Sequence, residues 1–497
     1  MKWKPLVLLL AAVVACAPQA EDRESSGAAA PVAEIPVTSA STAAVEAFEE
    51  GQRLADIGRG RQANKLFKQA TEEDATFAYA YLQVANTAAS ALEFKTYLDL
   101  AKANLEGKSE GERLLVEIVG TFLDNDAERR LELSSGLVEA YPESPRAWLT
   151  RGAMQATLNQ HQASRESIRR ALALQPDLIA AHVRMANSFL FNEPKDFDRA
   201  LAEMETVIQL DPQEAKGYEG LGDVLRARNE LEAAREAYSR ALEVDPALSV
   251  AALKKGHIDS FLGRFEEARA DYDLGIAGAE GSDRPNYANY RAFAWLHAGD
   301  PDAALAELHD LYESVDHMGL PADQVRATKI FTLDNAATVA LHFGKVDAAE
   351  EILEERSRVV RSDALALGDE SFSRRQEAGI ALRSGRLAAR RGEFDTARAL
   401  AEQNHDLLAA DSNPRRFEGY HGLLGQIALA RGEFDAAVAQ YEQANLTVTY
   451  IRYQLAMALA GAGRAEEARE LFQEVAEWNF NSVGFALVRR DALAQAG

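Results

Sequence analysis

Residues 215–248 read AKGYEGLGDVLRARNELEAAREAYSRALEVDPAL. The stretch spells two short helices joined by a turn. Tyr218, Leu221 and Leu225 recur at helical spacing, and Ala234, Tyr238 and Ala241 do the same further on. Gly222 and Ala234 are small where the two helices must approach. Ala241 is small where the second helix must touch the next unit. Pro246 cannot continue a helix and stops the second one. Two helices cannot bury their apolar faces alone, so the unit predicts neighbours like itself.

The neighbours are there. Prolines stand near the ends of consecutive units at Pro142, Pro176, Pro212 and Pro246, and the long middle step holds Asn192-Glu193-Pro194-Lys195, which predicts a widened turn. Trp148, Gly152, Ala171 and Pro176 mark the unit at 145–178, and Gly51, Ala63, Phe67 and Ala70 mark the first. Six phrases carry the pattern downstream, from Gly263–Ala268 and Gly299–Ala304 through Gly344–Ala349, Gly392–Ala397 and Gly432–Ala437 to Gly463–Ala468. Each sets a glycine suited to a left-handed helix end before an acidic residue suited to the next helix's positive start. Their uneven spacing predicts longer turns near 280–286, 315–324 and 362–374.

The 215–248 pattern resembles the tetratricopeptide repeat, W-x2-L-G-x2-Y, A-x3-F, P, with conservative changes at both aromatic ends of the first helix. The resemblance implies an all-α, right-handed α-solenoid of about twelve helix-turn-helix repeats over residues 43–481, with 482–497 as a capping helix. It also implies that first helices line a concave groove. Its ligand-contacting positions fall on Arg184, Asn187 and Phe191, on Lys216, Glu219, Asp223 and Arg226, and on Lys254, His257 and Phe261. Later units offer Asn289, Tyr290, Phe293, Arg383 and Arg386. Glu219 and Asp223 stand where the best-known groove pattern has lysine and asparagine. A clamp of that kind for a terminal carboxylate is therefore not expected; a mixed-charge groove for short peptide segments is. Ordinary solvated surface is the competing reading of each residue.

The first residues read differently. Lys2 and Lys4 precede an apolar run, Leu6 to Ala15, of about 15 Å as a helix, half of a bilayer core. This is a secretion-signal pattern over 1–15. Val13-Val14-Ala15-Cys16 resembles the lipobox of bacterial lipoproteins, and Cys16 is the only cysteine in the chain. The resemblance implies lipidation at Cys16, palmitate among the acyl groups, and a cell-envelope protein. Ala17 in place of aspartate points to the outer membrane, facing the periplasm. Residues 16–42, rich in Ala, Ser, Pro and Glu, predict a flexible tether.

A formal net charge of -24 argues against nucleic acid as a partner. One cysteine excludes an internal disulfide. No catalytic motif, phosphate loop or metal-ligand spacing was found, so the expectations are no enzyme, no cofactor and no metal. Partners are expected to be proteins or peptides, with the membrane reached through the lipid. Tetratricopeptide lipoproteins include pilus-assembly factors, components of outer-membrane insertion machinery and adaptors for peptidoglycan enzymes. Two alternatives stand beside the adaptor. One is a carbohydrate- or small-ligand-binding solenoid using Trp148, Tyr287, Tyr290 and Trp295. The other is a self-associating assembly or chaperone factor.

Overall fold

The computed structural model describes residues 34–497. Signal segment 1–15, Cys16 and residues 17–33 of the expected tether lie outside the described residues.

Twelve helix pairs follow one another. They are α1 (Thr42–Asp56) with α2 (Gly60–Glu73), α3 (Ala78–Asn86) with α4 (Ala91–Ala103), α5 (Glu110–Asp124) with α6 (Ala127–Ala140), and α7 (Pro145–Ala156) with α8 (His161–Leu174). Then come α9 (Ile179–Phe191) with α10 (Phe197–Leu210), α11 (Ala215–Ala227) with α12 (Leu231–Val244), α13 (Ser249–Phe261) with α14 (Phe265–Gly278), and α15 (Asp283–Ala298) with α16 (Pro301–Ser314). The last four are α17 (Ala322–His342) with α18 (Val346–Leu367), α19 (Glu370–Arg391) with α20 (Phe394–Leu408), α21 (Glu418–Ala430) with α22 (Phe434–Tyr441), and α23 (Thr449–Gly461) with α24 (Ala465–Glu477). A final helix, α25 (Val483–Ala496), follows. Each helix packs on the next, and the described residues hold no strand, so the chain is an all-α solenoid.

The small residues do what their size implies. A Cβ on Gly222 would lie 2.5 Å from the Tyr238 ring, so only glycine lets α11 and α12 close over it. Tyr238, Ala234 and Ala241 are fully buried there. Gly263, Gly299, Gly344, Gly392, Gly432 and Gly463 all have φ between 69° and 88°, the left-handed helix end expected of them. Asn159 and Asn229 take that conformation at φ 60° and 62° in units 4 and 6, where the sequence has no glycine.

Three expectations are corrected. The spacing around 362–374 is absorbed by length of helix and not by a long turn: α18 and α19 have 22 residues each and are separated only by Gly368-Asp369. Helix length also absorbs part of the earlier excess, since α17 has 21 residues. The flexible tether does not reach residue 42. Residues 34–41 lie along units 1 to 4, where Ile35 is 4% exposed and Thr38 donates to Glu112 from its amide (2.9 Å) and its hydroxyl (2.6 Å). Ser39 donates to Asp74 (2.6 Å) and Ser144 to Glu34 (2.8 Å). Composition alone hides this, because one buried isoleucine and three satisfied polar pairs suffice to dock an extended strap.

The third correction concerns the end of the chain. Helix α25 does not merely cap the stack. It packs on α24 and α23 and also on α15 and α17, inside the superhelix. Residues 484–488 are buried without interruption, which a one-sided cap would not be. The superhelix closes on itself as well. Arg59 of the first turn reaches Asp245 (2.9 Å) and Glu214 (3.2 Å), Arg61 reaches Asp283 (2.8 Å), and Arg375 donates to the Leu123 carbonyl (2.8 Å).

Candidate partner groove

The first helices α9, α11, α13 and α15 bring the expected groove residues to one inner face. Their charges meet each other. Lys216 approaches Glu219 at 2.5 Å, and Lys254 bridges Glu219 and Asp223, the latter at 2.6 Å. Arg226 approaches Asp223 at 2.8 Å, and the Tyr238 hydroxyl donates to the same carboxylate at 2.7 Å. Glu219 is 2% exposed and Asp223 7%. Burial alone would raise both carboxyls. Lys216 and Lys254 beside Glu219, and Arg226 and Lys254 beside Asp223, outweigh it and hold both below the usual carboxylate range.

These residues are therefore not an open, solvated lining, and the ion network is a crossbrace between units 6 and 7. Arg184 and Asn187 remain exposed, and Phe191 is 38% exposed. In later units Asn289 is fully buried: it donates to the Pro285 carbonyl (3.0 Å) and Thr332 (3.1 Å) and accepts from Asn335 (3.0 Å). Phe293 is core at 1% exposed, and Tyr290 packs between it and His257 at steep ring angles. These three are packing residues, a correction to their reading as lining. Arg383 shares Asp334 with Arg356. Arg386 stands apart from every such pair.

The aromatic and amide positions of the groove are occupied from within. Between α24 and α25 the chain leaves helical structure at Trp478-Asn479-Phe480-Asn481-Ser482 and lies across units 5 to 8. Phe480 packs on Phe191 at 4.8 Å between ring centroids and beneath the Arg226 guanidinium at 4.0 Å. Trp478 carries Lys195 over its ring at 4.6 Å and Arg452 at 4.9 Å. Asn479 is fully buried and donates to the Arg226 carbonyl (3.1 Å) and to Asn229 (2.9 Å). Asn481 sits between two imidazoles, 3.2 Å from His257 Nδ1 and 3.1 Å from His297 Nε2. Phe485 then inserts against Phe261 and His297, and Arg489 donates to the Phe261 carbonyl at 3.3 Å.

Burial first, then Arg226 and Lys254, push His257 well down from its ordinary value. Burial takes His297 down to about 4, against the Asn481 hydrogen bond and with Arg489 assisting. Both rings are neutral at pH 7. The pairing then assigns a protonated Nε2 on His297 that donates to the Asn481 oxygen, and an Nδ1 on His257 that accepts. The sequence reading missed Trp478, Asn479, Phe480, Asn481, His297 and Arg489. The available signal was two aromatics two residues apart, alternating with amides, where the helical period lapses.

Of the other candidate aromatics, Tyr287 lines two surface cavities, and Trp148 and Trp295 are engaged within the fold. Trp148 donates to the Pro142 carbonyl (2.8 Å) and Trp295 to Glu307 (2.7 Å), with Arg269 over the Trp295 ring at 4.6 Å. Among the described residues no group of three His, Cys, Asp or Glu side chains is arranged to hold a metal ion. No helix among them is long and apolar enough to cross a membrane.

Family models described as "Tetratricopeptide repeat" match residues 145–178, 194–249, 287–310, 382–403, 419–443 and 450–474. No curated protein matches the chain. Among solved structures, the MamA RS-1 ArsTM double mutant is 19% identical, covering 34% of this chain and 93% of its own, at a TM-score of 0.29. The Cut9–Hcn1 heterotetramer of the APC/C is 14% identical, covering 90% of this chain and 76% of its own, at 0.41. A thermophilic TPR protein in Thermus thermophilus is 21% identical, covering 38% of this chain and 99% of its own, at 0.31. None of the three carries a functional conclusion for this chain. The matched repeats fall on the helix pairs that the 215–248 pattern predicted, and the chain belongs to the tetratricopeptide-repeat family.

Proposed function

We propose that the chain is an adaptor of the bacterial cell envelope. A lipid on Cys16 would tether it to a membrane, the outer one on its periplasmic side, and the solenoid would hold protein partners. The observation that carries the reading is the segment 478–482 seated on the inner face of units 5 to 8. That face takes a non-helical stretch of alternating aromatics and amides, by ring packing at Phe191 and Arg226 and by hydrogen bonds to a carbonyl and two histidines. A partner segment of the same chemistry suits the same face. Tetratricopeptide repeats are protein-binding scaffolds as a class, and no catalytic family matches the chain, which supports a binding role over an enzymatic one.

The test is a crosslinked pull-down from native membranes with three forms: wild type, Cys16→Ser, and Phe480→Ala/Asn481→Ala. One envelope protein enriched with the wild type, lost with Cys16→Ser and increased with the double variant, supports the tether and the inner face together. Equal enrichment by the double variant would move the partner to another surface. No protein enriched by any form would end the adaptor reading.

A further inference from the structure

We infer that a cavity of about 530 Å3 on the inner face of units 9 to 12 is a binding site for a small organic anion, a carboxylate carried on an apolar body. The cavity lies between α17, α19, α21, α23 and the start of α25, beyond the segment that fills the central groove. The inference does not depend on the adaptor reading.

The charge of its wall is the first argument. Arg386, Arg390 and Arg415 line it against a single carboxylate, Glu418. Arg415 already holds Glu418 through two nitrogens, at 2.8 and 3.2 Å. Arg390 donates to the His342 carbonyl at 2.8 Å. Arg386 makes no hydrogen bond and no ion pair among the described residues. The carboxylate on the neighbouring helix, Asp334, is taken by Arg356 and Arg383. Burial pushes the Arg386 pKa down, and the Arg383 charge adds to this. Arg386 is thus a half-buried cation at the cavity wall with no counterion of its own. A chain with 78 acidic residues has no shortage of carboxylates, and among the described residues none forms an ion pair with Arg386.

Shape is the second argument. Leu341, Val448, Ile451 and Val483 give the cavity apolar walls beside its guanidinium end. Gly422 leaves room: a Cβ there would meet only Ile451 at 3.7 Å and Ala444 at 3.8 Å, which is ordinary contact. The volume falls in the range of about 300–1,000 Å3 that holds small molecules. A guanidinium fork matches a carboxylate through two parallel hydrogen bonds, and lysine would not supply this geometry.

The experiment is calorimetric titration of the full-length protein with 4-phenylbutyrate, 4-phenylbutanamide and inorganic phosphate. The expected result is one-site binding of phenylbutyrate, with the amide and phosphate each at least tenfold weaker. Arg386→Gln should weaken phenylbutyrate at least tenfold, and Arg398→Gln, an equal charge change at an exposed position of α20, should leave it unchanged. Circular dichroism checks the fold of each variant. Should Arg386→Gln not fold, Arg386→Lys and Gly422→Val replace it, and both should weaken binding. No binding of phenylbutyrate to the wild type would overturn the site. So would equal affinity for the amide, or undiminished binding by these variants. Phosphate as tight as phenylbutyrate would overturn the apolar half of the inference.

Discussion

Two arginines on inner helix faces, Arg226 on α11 and Arg386 on α19, have opposite surroundings. Arg226 is 5% exposed and engaged by the chain itself: it pairs with Asp223, covers the Phe480 ring, and its carbonyl receives Asn479, although its Nε is buried without a partner. Arg386 faces a cavity of about 530 Å3 and pairs with nothing among the described residues. Arg226 sits where the chain has supplied its own occupant, and Arg386 where it has left space. A solenoid's inner face is thus not one groove with one role. Where the molecule satisfies its own charges and covers them, the surface is closed unless that cover moves. Where a half-buried cation is left single beside open space, the complement comes from outside.

The strongest way to break the comparison is to remove the cover. Phe485 is fully buried against Tyr238, Ile258 and Phe261 and joins α25 to units 6 and 7. Phe485→Ala should cost about 4 kcal/mol, the usual range for a large aromatic deleted from a packed core. Chemical denaturation measures the loss. Limited proteolysis should cut within 478–490 in the variant before it cuts the wild type. If α25 merely capped the end of the stack, the loss would be much smaller and cleavage in that segment unchanged.

The charges beneath that cover come next. Asp223 holds Lys254, Arg226 and the Tyr238 hydroxyl at once. Asp223→Asn leaves the buried Arg226 without its carboxylate and Lys254 with only Glu219, and should cost about 3 kcal/mol. The double variant Asp223→Asn/Lys254→Met should recover part of that loss. A double variant no better than the single one would mean that the network is not a coupled brace.

Acid should loosen the same region by a smaller amount. The folded-state pKa values of His257 and His297 lie below the ordinary imidazole value, that of His297 at about 4. A depressed histidine contributes stability above about pH 6.5 that is lost as pH falls toward the folded value. The loss for His297 at pH 5 is about 2 kcal/mol. Asp271, raised to about 6 mainly by burial, works in the opposite direction over that window. Comparing the wild-type pH profile with that of His297→Gln isolates the histidine: the wild type should lose more stability between pH 7 and pH 5. Identical slopes would remove His297 from the account. Glu219 and Asp223 enter only lower, as pH falls below the ordinary carboxylate range of about 4, because their pKa values are depressed.

The repeat was legible because its determinants are local. Gly222 against Tyr238, Pro246 after α12, and the glycines at φ near 75° act within one or two helices, and a residue's size or backbone freedom announces them. The groove positions were legible as positions, since a register places Lys216, Glu219, Asp223 and Lys254 on one face. Their state was not. Whether Glu219 meets solvent or Lys254 depends on how neighbouring units stack, and whether Phe191 is free depends on Phe480, almost three hundred residues later. The strap at 34–41 and the inward path of α25 are long-range too. Ile35 finds Gly111, and Phe485 finds Phe261, only after the superhelix has closed.

The smallest expected effect is the most discriminating. Arg386 makes no bond that its removal would break, and it carries a desolvation cost that its removal would relieve. Arg386→Gln should therefore leave the melting temperature of the unliganded protein unchanged or raise it slightly, in contrast to Asp223→Asn. A clear drop would show that Arg386 is a structural cation whose partner forms in solution, and the two inner faces would then differ in degree only. An unchanged or raised melting temperature would place the function of Arg386 outside the fold. No contact within the described chain would then account for a guanidinium at that position, and the cavity in front of it would be its remaining use.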